Sequence, residues 1–203
     1  MGGEGNRSAN TQTGDDNQDD GQYIGPSEII ATPVFDKNRV YVAIGQDPTH
    51  GRGRGMLSCI DATKTGDISK TGKVWTFDGL DRTLSTVSIA NGLLYIADVS
   101  GRLFCLDAET GKCHWVYDTK QQVWGSTLVA DGKVYLGTQR ELWVFAAGQE
   151  MRVLDPVRLD SAIWSTPVAA GGALYVASQQ YLRATEQPKT VTDHTLRVSA
   201  THN

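Results

Sequence analysis

The side chains of this sequence that could do chemistry form small groups without the spacing of a known site. Four aspartates lie near the amino terminus: Asp15, Asp16, Asp19 and Asp20. They lack the alternating ligands, central glycine and distal glutamate of an EF-hand loop, so we interpret them as a solvated tail rather than a calcium site. Cys59, Cys105 and Cys113 are too few for a disulfide scaffold and wrongly spaced for zinc. We therefore predict no metal site and no catalytic residue.

A basic, glycine-rich loop is the most unusual segment of the chain. It reads "QDPTHGRGRGM" from Gln46 to Met56 and presents His50, Arg52 and Arg54. Glycines let backbone N–H groups approach an anion, and loops on a rigid scaffold often contact partners. A P-loop is excluded because neither Gly-Lys-Ser/Thr nor a helix follows. Two interpretations stay open: a partner-contact loop that uses these three side chains, or a flexible, solvated hairpin extension.

The composition excludes several classes of function. The chain has 203 residues, of which 39% are hydrophobic and 21% charged, as in ordinary globular domains. A formal net charge of −4 gives no basic field for nucleic acid. No apolar run approaches the roughly 18 residues of a membrane span. No charged region followed by an apolar stretch opens the chain, so we expect either a cytoplasmic protein or a native start other than Met1.

The two ends of the chain differ from its middle. Residues 1–22 contain no Val, Ile, Leu or aromatic residue. Such a segment cannot bury enough apolar area to offset the entropy of ordering, so we predict disorder over residues 1–28. Residues 189–203 are predicted to be a tail, in which "TLRVSA" (195–200) could supply an outer strand to the last unit of the middle region.

A repeat of about 40 residues organises the middle of the chain. Four tyrosines follow turn-like pairs or triplets: Tyr41, Tyr95, Tyr135 and Tyr175. Their spacings are 54, 40 and 40 residues, and the spacings from Trp75 to Trp115 and from Trp124 to Trp164 are also 40. Relative to the next unit, the first has 8 extra residues before Cys59 and 6 after it. Both insertions are therefore predicted to lie in loops, where they leave the strands in register.

Each unit is predicted to form four short antiparallel strands, because β-branched and aromatic runs alternate with turn residues and no helical period is kept. Four such strands per roughly 40 residues are typical of a β-propeller blade. The predicted fold is therefore all-β, a partial β-propeller of about four blades over residues 29–188. We place the blades at about 29–80, 81–121, 122–160 and 161–188.

The hairpin between the third and fourth strands of the second blade reads "LDAETGKCHWVY". Its turn is predicted from Asp107, which can accept backbone N–H bonds, and Gly111, which can adopt a positive φ. Pairing of Leu106 with Lys112 would set Cys105 opposite Cys113. In that register a Cys105–Cys113 disulfide is an alternative to small buried thiols.

This hairpin resembles the tryptophan-docking motif of the pyrroloquinoline-quinone (PQQ) propeller repeat, Asp-x-x-Thr-Gly-x-x-x-Trp. Six residues of the first two units match it: Asp61, Trp75, Asp107, Thr110, Gly111 and Trp115. The third unit lacks the Asp, Thr and Trp, and the fourth fades after "YLRAT". The resemblance extends from residue 29 to about 185. It implies a structural role for the six residues, with Trp115 on the face packed against the next blade.

The resemblance implies one of two functions. Proteins with this repeat are quinoprotein alcohol dehydrogenases, which bind PQQ and calcium on an eight-bladed propeller, or non-catalytic, periplasmic BamB-like scaffolds of seven or eight blades. The sequence has neither the vicinal Cys-Cys pair nor the acidic calcium cluster of the dehydrogenases. We predict a non-catalytic BamB-like scaffold without cofactors, in the periplasm or cell envelope, which contacts protein partners through its face loops. The alternative is a fragment of a PQQ-dependent dehydrogenase.

A row of hydroxyls occupies one position of the first strands. Its members are Thr32, Thr86, Ser126 and Thr166. They could ring a polar channel on the propeller axis, or they could bond to adjacent backbone. The sequence leaves both interpretations open.

Four blades are only about half of a seven- or eight-bladed ring, so the end blades are expected to lack a neighbour. The apolar residues involved are Ile29, Ile30 and Val34 in the first blade and Trp164, Val168 and Tyr175 in the last. Exposed apolar faces of this kind favour association. We therefore expect self-association, in which two copies close an eight-bladed ring. The alternative is a small, tightly curved ring of four blades.

Overall fold

The computed structural model of the chain describes residues 28–45, 54–186 and 199–200. The segment predicted to be disordered lies outside these residues except for Glu28, as do His50 and Arg52 of the basic loop. Within the described residues no helix has the length and apolar character needed to cross a membrane.

Sixteen strands are formed by the described residues. They are β1 (Val34–Asp36), β2 (Arg39–Ile44), β3 (Met56–Asp61), β4 (Lys73–Phe77), β5 (Ser88–Ala90), β6 (Leu93–Ala97), β7 (Arg102–Asp107), β8 (Cys113–Asp118), β9 (Leu128–Ala130), β10 (Lys133–Gly137), β11 (Glu141–Ala146), β12 (Val153–Arg158), β13 (Val168–Ala170), β14 (Ala173–Ala177), β15 (Leu182–Glu186) and β16 (Ser199–Ala200). Each consecutive set of four makes one antiparallel sheet in simple sequence order. These four sheets are four blades, which confirms the predicted all-β fold.

Tight hairpins join the first two strands of each blade. In the second and third blades the turns are Asn91-Gly92 and Asp131-Gly132, and all four residues have positive φ. Asn-Gly and Asp-Gly suit such turns because both central residues adopt the left-handed conformation, which matches the twist of the paired strands. The turns fix the register of the inner hairpins and so set which side chains face the neighbouring blade.

The core consists of layers between successive blades. Between the first and second blades, Tyr41 and Leu57 pack with Leu94 and Leu106 in one buried cluster. A second cluster joins the second and third blades, and a third joins the third and fourth. Each of the two inner sheets therefore buries one face against the blade before it and the other against the blade after it, as stacked repeats require. Of the first-blade residues expected to be uncovered, Val34 is instead packed into the first cluster, because it lies opposite Tyr41 and faces the second blade.

The predicted register of the second-blade hairpin is wrong. A β-bulge shifts the pairing between Cys105 and Leu106, so that Cys105 lies opposite Trp115 and Leu106 opposite Cys113. The extra residue is His114, immediately before the tryptophan. The first blade has the same irregularity, one residue before Trp75. Because a bulge adds one residue to one strand only, alternation counted from the turn misplaces every later partner.

The outer strands of the last two blades form without the docking motif. In the third blade β12 pairs with β11, and Leu154 lies opposite Val144, where the first two blades have a tryptophan opposite a cysteine. Pro156 is accommodated because it lies in an outer strand beside a bulge. In the fourth blade Ser199–Ala200 pairs with β15 as the outer strand.

We expect Trp115→Ala to destabilise the blade stack, because the ring is buried between two blades and stacks on Phe145 at 5.9 Å. Truncation of a buried Trp costs about 3–5 kcal/mol, a large part of a typical domain stability of about 5–15 kcal/mol. Trp124→Ala is the matched control, since Trp124 is 37% exposed and should cost about 1 kcal/mol or less. Urea unfolding of both variants measures the difference; equal costs would contradict the docking role of Trp115.

Candidate functional site

The turn that resembles the docking motif is a compact network around Asp107. Its Oδ1 accepts hydrogen bonds from the Thr110 amide (2.8 Å), the Thr110 hydroxyl (2.8 Å) and the Glu109 amide (3.1 Å). Gly111 has a φ of 73° and its amide donates to the Asp107 carbonyl at 2.9 Å. The hydrogen bonds from Thr110 are the main reason that the pKa of Asp107 lies below its usual value.

The preceding blade packs against the outer face of this turn. A Cβ built on Gly111 would lie 2.6 Å from Cδ2 of Trp75, so no larger residue fits beneath that ring. Trp75 Nε1 donates to the Ala108 carbonyl at 3.2 Å, and the Tyr41 hydroxyl donates to the same oxygen at 3.0 Å. Trp115 contacts the third blade similarly, with Nε1 donating to the Gly148 carbonyl at 3.0 Å.

In the first blade Asp61 lies in a longer version of the same hairpin. Its Oδ1 accepts hydrogen bonds from the Thr63 hydroxyl (2.7 Å) and the Thr63 amide (3.0 Å), which lower the pKa of the carboxyl. The Asp61 amide bonds to the Gly72 carbonyl, so the six extra residues lie within the hairpin. Both aspartates are therefore engaged in their own turns rather than presented to a ligand.

The connections between the second and third strands of each blade, and those between blades, share one side of the propeller. We call this side the loop face; its described segments are 78–83, 98–101, 119–124, 138–140, 159–164 and 178–181. Arg54, the described member of the basic trio, is exposed and borders it, forming a backbone bridge with Asp81. A Cβ on Gly55 would clash with the Asp81 carbonyl, so the end of the basic loop lies directly on the connection to the second blade.

A buried carboxylate holds that connection in place. The Asp98 side chain is inaccessible and accepts hydrogen bonds from the Arg102 guanidinium (2.7 and 2.9 Å) and from the Asp81 amide (3.2 Å). Arg102 also lies over the ring of Phe104, 5.3 Å from its centroid. These contacts satisfy the buried charge and fix the loop beside Arg54, so this ion pair serves the architecture.

The hydroxyl row links neighbouring blades. The Thr32 amide donates to Thr86 Oγ1 (3.1 Å), the Thr86 amide to Ser126 Oγ (2.9 Å), and the Ser126 amide to Thr166 Oγ1 (2.8 Å). Each hydroxyl of the last three blades thus accepts a bond from the backbone of the blade before it. Of the two open interpretations, the described geometry agrees with bonding to adjacent backbone.

A second row, of apolar side chains, was missed as a site by the sequence reasoning. Its members stand two residues before each hydroxyl: Ile30, Leu84, Trp124 and Trp164. Trp124 and Trp164 meet edge to face at 5.8 Å, while Ile30 is 44% and Trp124 37% exposed. Residues two apart in an extended segment share a side. Each member stands four residues before the first strand of its blade, where the chain enters from the loop face, so the row lies on the inner rim of that face. The 40-residue spacing of the tryptophans was the signal that could have located it.

The dehydrogenase alternative requires calcium beside PQQ, and the described residues do not offer the acidic cluster that would hold the calcium. No three His, Cys, Asp or Glu side chains converge within the described ranges. On the loop face, Asp81 and Asp98 are already paired with Arg102, and Asp160 is paired with Arg183. Hard cations favour several oxygen ligands with carboxylates among them, and the described carboxylates do not cluster in this way.

The cysteines are free thiols, with Cys59 and Cys105 buried and Cys113 exposed. Burial raises the pKa of Cys105 to about 12 and also raises that of Cys59. Such thiols are poor nucleophiles at neutral pH, because the thiolate is the reactive form. The two buried cysteines are small apolar groups that fill the space beside Trp75 and Trp115.

The fold and its repeated blade contacts define the class: this is a β-propeller protein of PQQ-like repeats. A family model described as "Outer membrane protein assembly factor BamB" matches residues 53–157. Since the match spans more than half of the chain, the chain belongs to this family. It is similar to the outer membrane protein assembly factor BamB of Nitrosomonas eutropha, with 39% identity over an 82-residue alignment that covers 36% of this chain and 20% of that protein. The chain thus matches about a fifth of the length of this relative.

Solved structures share the fold at low identity. The match to the crystal structure of BamB from Moraxella catarrhalis covers 75% of this chain and 41% of the BamB chain, with a TM-score of 0.57 and 13% identity. The match to quinohemoprotein alcohol dehydrogenase from Comamonas testosteroni covers 78% of this chain and 33% of that enzyme, with a TM-score of 0.60 and 16% identity. The match to the computationally designed Ika4 protein covers 79% of this chain and 91% of the designed protein, with a TM-score of 0.57 and 12% identity. These likenesses show a β-propeller fold and do not discriminate between its functions.

We expect Asp107→Ala to cost about 1 kcal/mol at neutral pH, the typical worth of a lost turn hydrogen bond. The folded-state pKa is below the ordinary value of 3.8, so the stabilisation is fully present above 3.8 and is lost as pH falls through the lower folded value. The variant and wild type should therefore converge in acid. Urea unfolding across the pH range tests this, with Glu109→Ala as a control from the same turn. A cost that persisted undiminished in acid would contradict the role of the carboxylate.

Proposed function

We propose that this chain is a non-catalytic, protein-binding scaffold of the cell envelope that takes part in outer membrane protein assembly. The family to which it belongs is described by that process, and the resemblance of its repeats implies a periplasmic location. Partner proteins dock on the loop face, and the open ends of the blade stack provide for self-association. No group of the described residues is assigned to catalysis.

The observation that carries the proposal is the apolar row on the inner rim of the loop face. Trp124 and Trp164 meet edge to face, and Trp124 and Ile30 are exposed. Tryptophan is enriched at the energetic centres of protein interfaces, because it buries a large area at low cost in side-chain entropy. The buried Asp98–Arg102 pair beneath the neighbouring loops keeps the surface rigid, which reduces the ordering cost of binding.

Arg54 supports a polar edge to the same surface. It is exposed and lies beside Asp81 at the start of the connection to the second blade. Arginine on the rim of an interface steers association and adds specificity more than affinity. His50 and Arg52 belong to the proposed contact loop by sequence alone.

We expect Trp124→Ala to weaken binding of the purified chain to a purified outer membrane protein assembly complex by about tenfold or more, as for an interface hot spot. Biolayer interferometry measures the change. Val116→Ala is the control, because Val116 is equally apolar and 50% exposed but lies on the outer strand β8. Unchanged affinity of the Trp124 variant would remove the loop face from the interface, and failure of the wild-type chain to bind would remove the assembly role.

The competing function, a fragment of a PQQ-dependent dehydrogenase, is supported by the fold shared with quinohemoprotein alcohol dehydrogenase. A dye-linked alcohol oxidation assay with added PQQ and Ca²⁺ separates the two. We expect no turnover above a boiled control, because the described residues do not gather the cluster of carboxylates that calcium favours. Turnover that disappears when the quinone is left out would replace the scaffold proposal.

A further inference from the structure

The two tryptophans on the rim of the loop face form a corner. The ring centroids of Trp124 and Trp164 lie 5.8 Å apart, and the planes of the rings make an angle of 68°. Trp124 is exposed and Trp164 is half-buried. A ligand at this place on the rim therefore meets two inclined apolar walls rather than one flat platform. We call this pair of rings the tryptophan corner.

Two glutamine side chains lie beside the tryptophan corner. Gln122 stands two residues before Trp124, so the two side chains share a side of the segment. Gln139, from the neighbouring connection, donates from Nε2 to Gln122 Oε1 at 3.2 Å, and both side chains are exposed. A carboxamide carries two N–H donors, and Gln139 uses one of them in this bond. The remaining N–H groups of the pair have no acceptor among the described residues, so they can donate to a ligand.

The surroundings of the tryptophan corner are close to neutral. The described segments of the loop face from residue 119 onward contain three charged side chains: Lys120, Arg140 and Asp160. Lys120 pairs with Asp118, and Asp160 pairs with Arg183, which leaves the exposed Arg140. A ligand for this surface therefore needs apolar groups and hydrogen-bond acceptors, and it does not need a large charge of either sign.

The backbone of the rim limits the conformation of such a ligand. The amides of Thr86 and Ser126 already donate to hydroxyls of the next blade, at 2.9 and 2.8 Å, whereas strand addition needs a row of free backbone groups. A helix binds in a groove that accepts apolar side chains from one of its faces. The rim offers a single apolar row with polar amides beside it. A polyproline II segment meets these conditions, because it is extended and needs no hydrogen-bonded ladder.

We propose that the tryptophan corner binds a proline-rich segment of the protein partner in the polyproline II conformation. Proline rings pack against the two indoles, and backbone carbonyls of the segment accept hydrogen bonds from Gln122 and Gln139. These carbonyls are available because the conformation has no internal hydrogen bonds. The conformation is also largely formed before binding, so little conformational entropy is lost in the complex.

The inference rests on the proposed function, because it names the part of the protein partner that the loop face contacts. The two can fail separately. A chain that binds the assembly complex but no proline-rich peptide would remove the inference and leave the proposed function in place. A chain that binds the peptide but not the complex would remove the assembly role and leave the inference in place.

The test is a titration of the 203-residue chain with acetylated decaproline, followed by tryptophan fluorescence and by isothermal titration calorimetry. We expect saturable binding of decaproline and no binding of a Gly-Ser repeat peptide of the same length. Trp124→Ala should raise the dissociation constant for decaproline by about tenfold or more, because it removes one wall of the corner. Val116→Ala is the matched control and should leave this constant unchanged, since Val116 is 50% exposed on the outer strand β8.

Gln139→Ala tests the hydrogen-bond donors separately from the aromatic walls. The loss of one hydrogen bond should raise the dissociation constant for decaproline by about fivefold. Gln139 is exposed, so this variant should keep the thermal unfolding midpoint of the wild type, and a weaker affinity then reports on the contact rather than on folding.

Four outcomes would overturn the proposal. They are no saturation with decaproline, equal affinity for the Gly-Ser peptide, unchanged affinity of both the Trp124 and the Gln139 variants, and saturable binding of chitohexaose in place of decaproline. The last outcome would make the tryptophan corner a glycan site, in which a sugar ring rather than proline packs on the exposed indole.

Discussion

Face-to-face burial between neighbouring blades is the interaction on which this structure depends. A four-stranded antiparallel sheet of this composition is apolar on both faces, so a single blade would not be stably folded in water. The hydrogen-bonded ladders run within each sheet, whereas the contacts between sheets are apolar side chains, the hydroxyl links and the tryptophan docks. The register of each inner hairpin matters because it decides which residues reach these layers.

That constraint explains where the chain tolerates change. The two insertions of the first blade lie between strands, so they leave the layer against the second blade intact. Gly111 cannot carry a side chain because Trp75 lies on it, and the turn that holds it is fixed by Asp107. The residues at the rim of the loop face are not needed to hold two blades together in this way, and the row there varies from Ile30 and Leu84 to Trp124 and Trp164. Binding specificity can evolve there without cost to the stack.

Much of the fold could be predicted because the same strand pattern recurs in four units, so an assignment that is ambiguous in one unit is supported by the others. One tyrosine after a turn says little, but four at nearly constant spacing fix the strand phase of every blade. The bulge before Trp115 could not be predicted, because it depends on how the ring reaches the next blade rather than on local alternation. The outer strand of the third blade has no docking motif in its sequence, yet it forms because β11 offers an edge and Leu154 fills the layer. The apolar row on the rim of the loop face was not predicted, because a tryptophan near a strand is more often a core residue than a surface residue.

The three layers between blades differ in how well they are packed, and the layer between the third and fourth blades is packed less well than the one before it. The layer between the second and third blades holds a cluster of aromatic rings formed by Trp115, Tyr117, Trp143 and Phe145. The layer between the third and fourth blades has Leu154 in place of a docking tryptophan. There Arg183 takes the strand position of Phe104 and Trp143, and one nitrogen of its guanidinium is buried without a partner.

Leu142, Val157 and Val176 line a small cavity of about 20 Å³ beside that arginine. A cavity reduces the free energy gained on packing, and this layer also lacks the docking tryptophan of the two layers before it. In a stack where each blade is held only by its neighbours, the blade behind the weakest layer opens first. We therefore expect the fourth blade to open at a lower free energy than the other described blades.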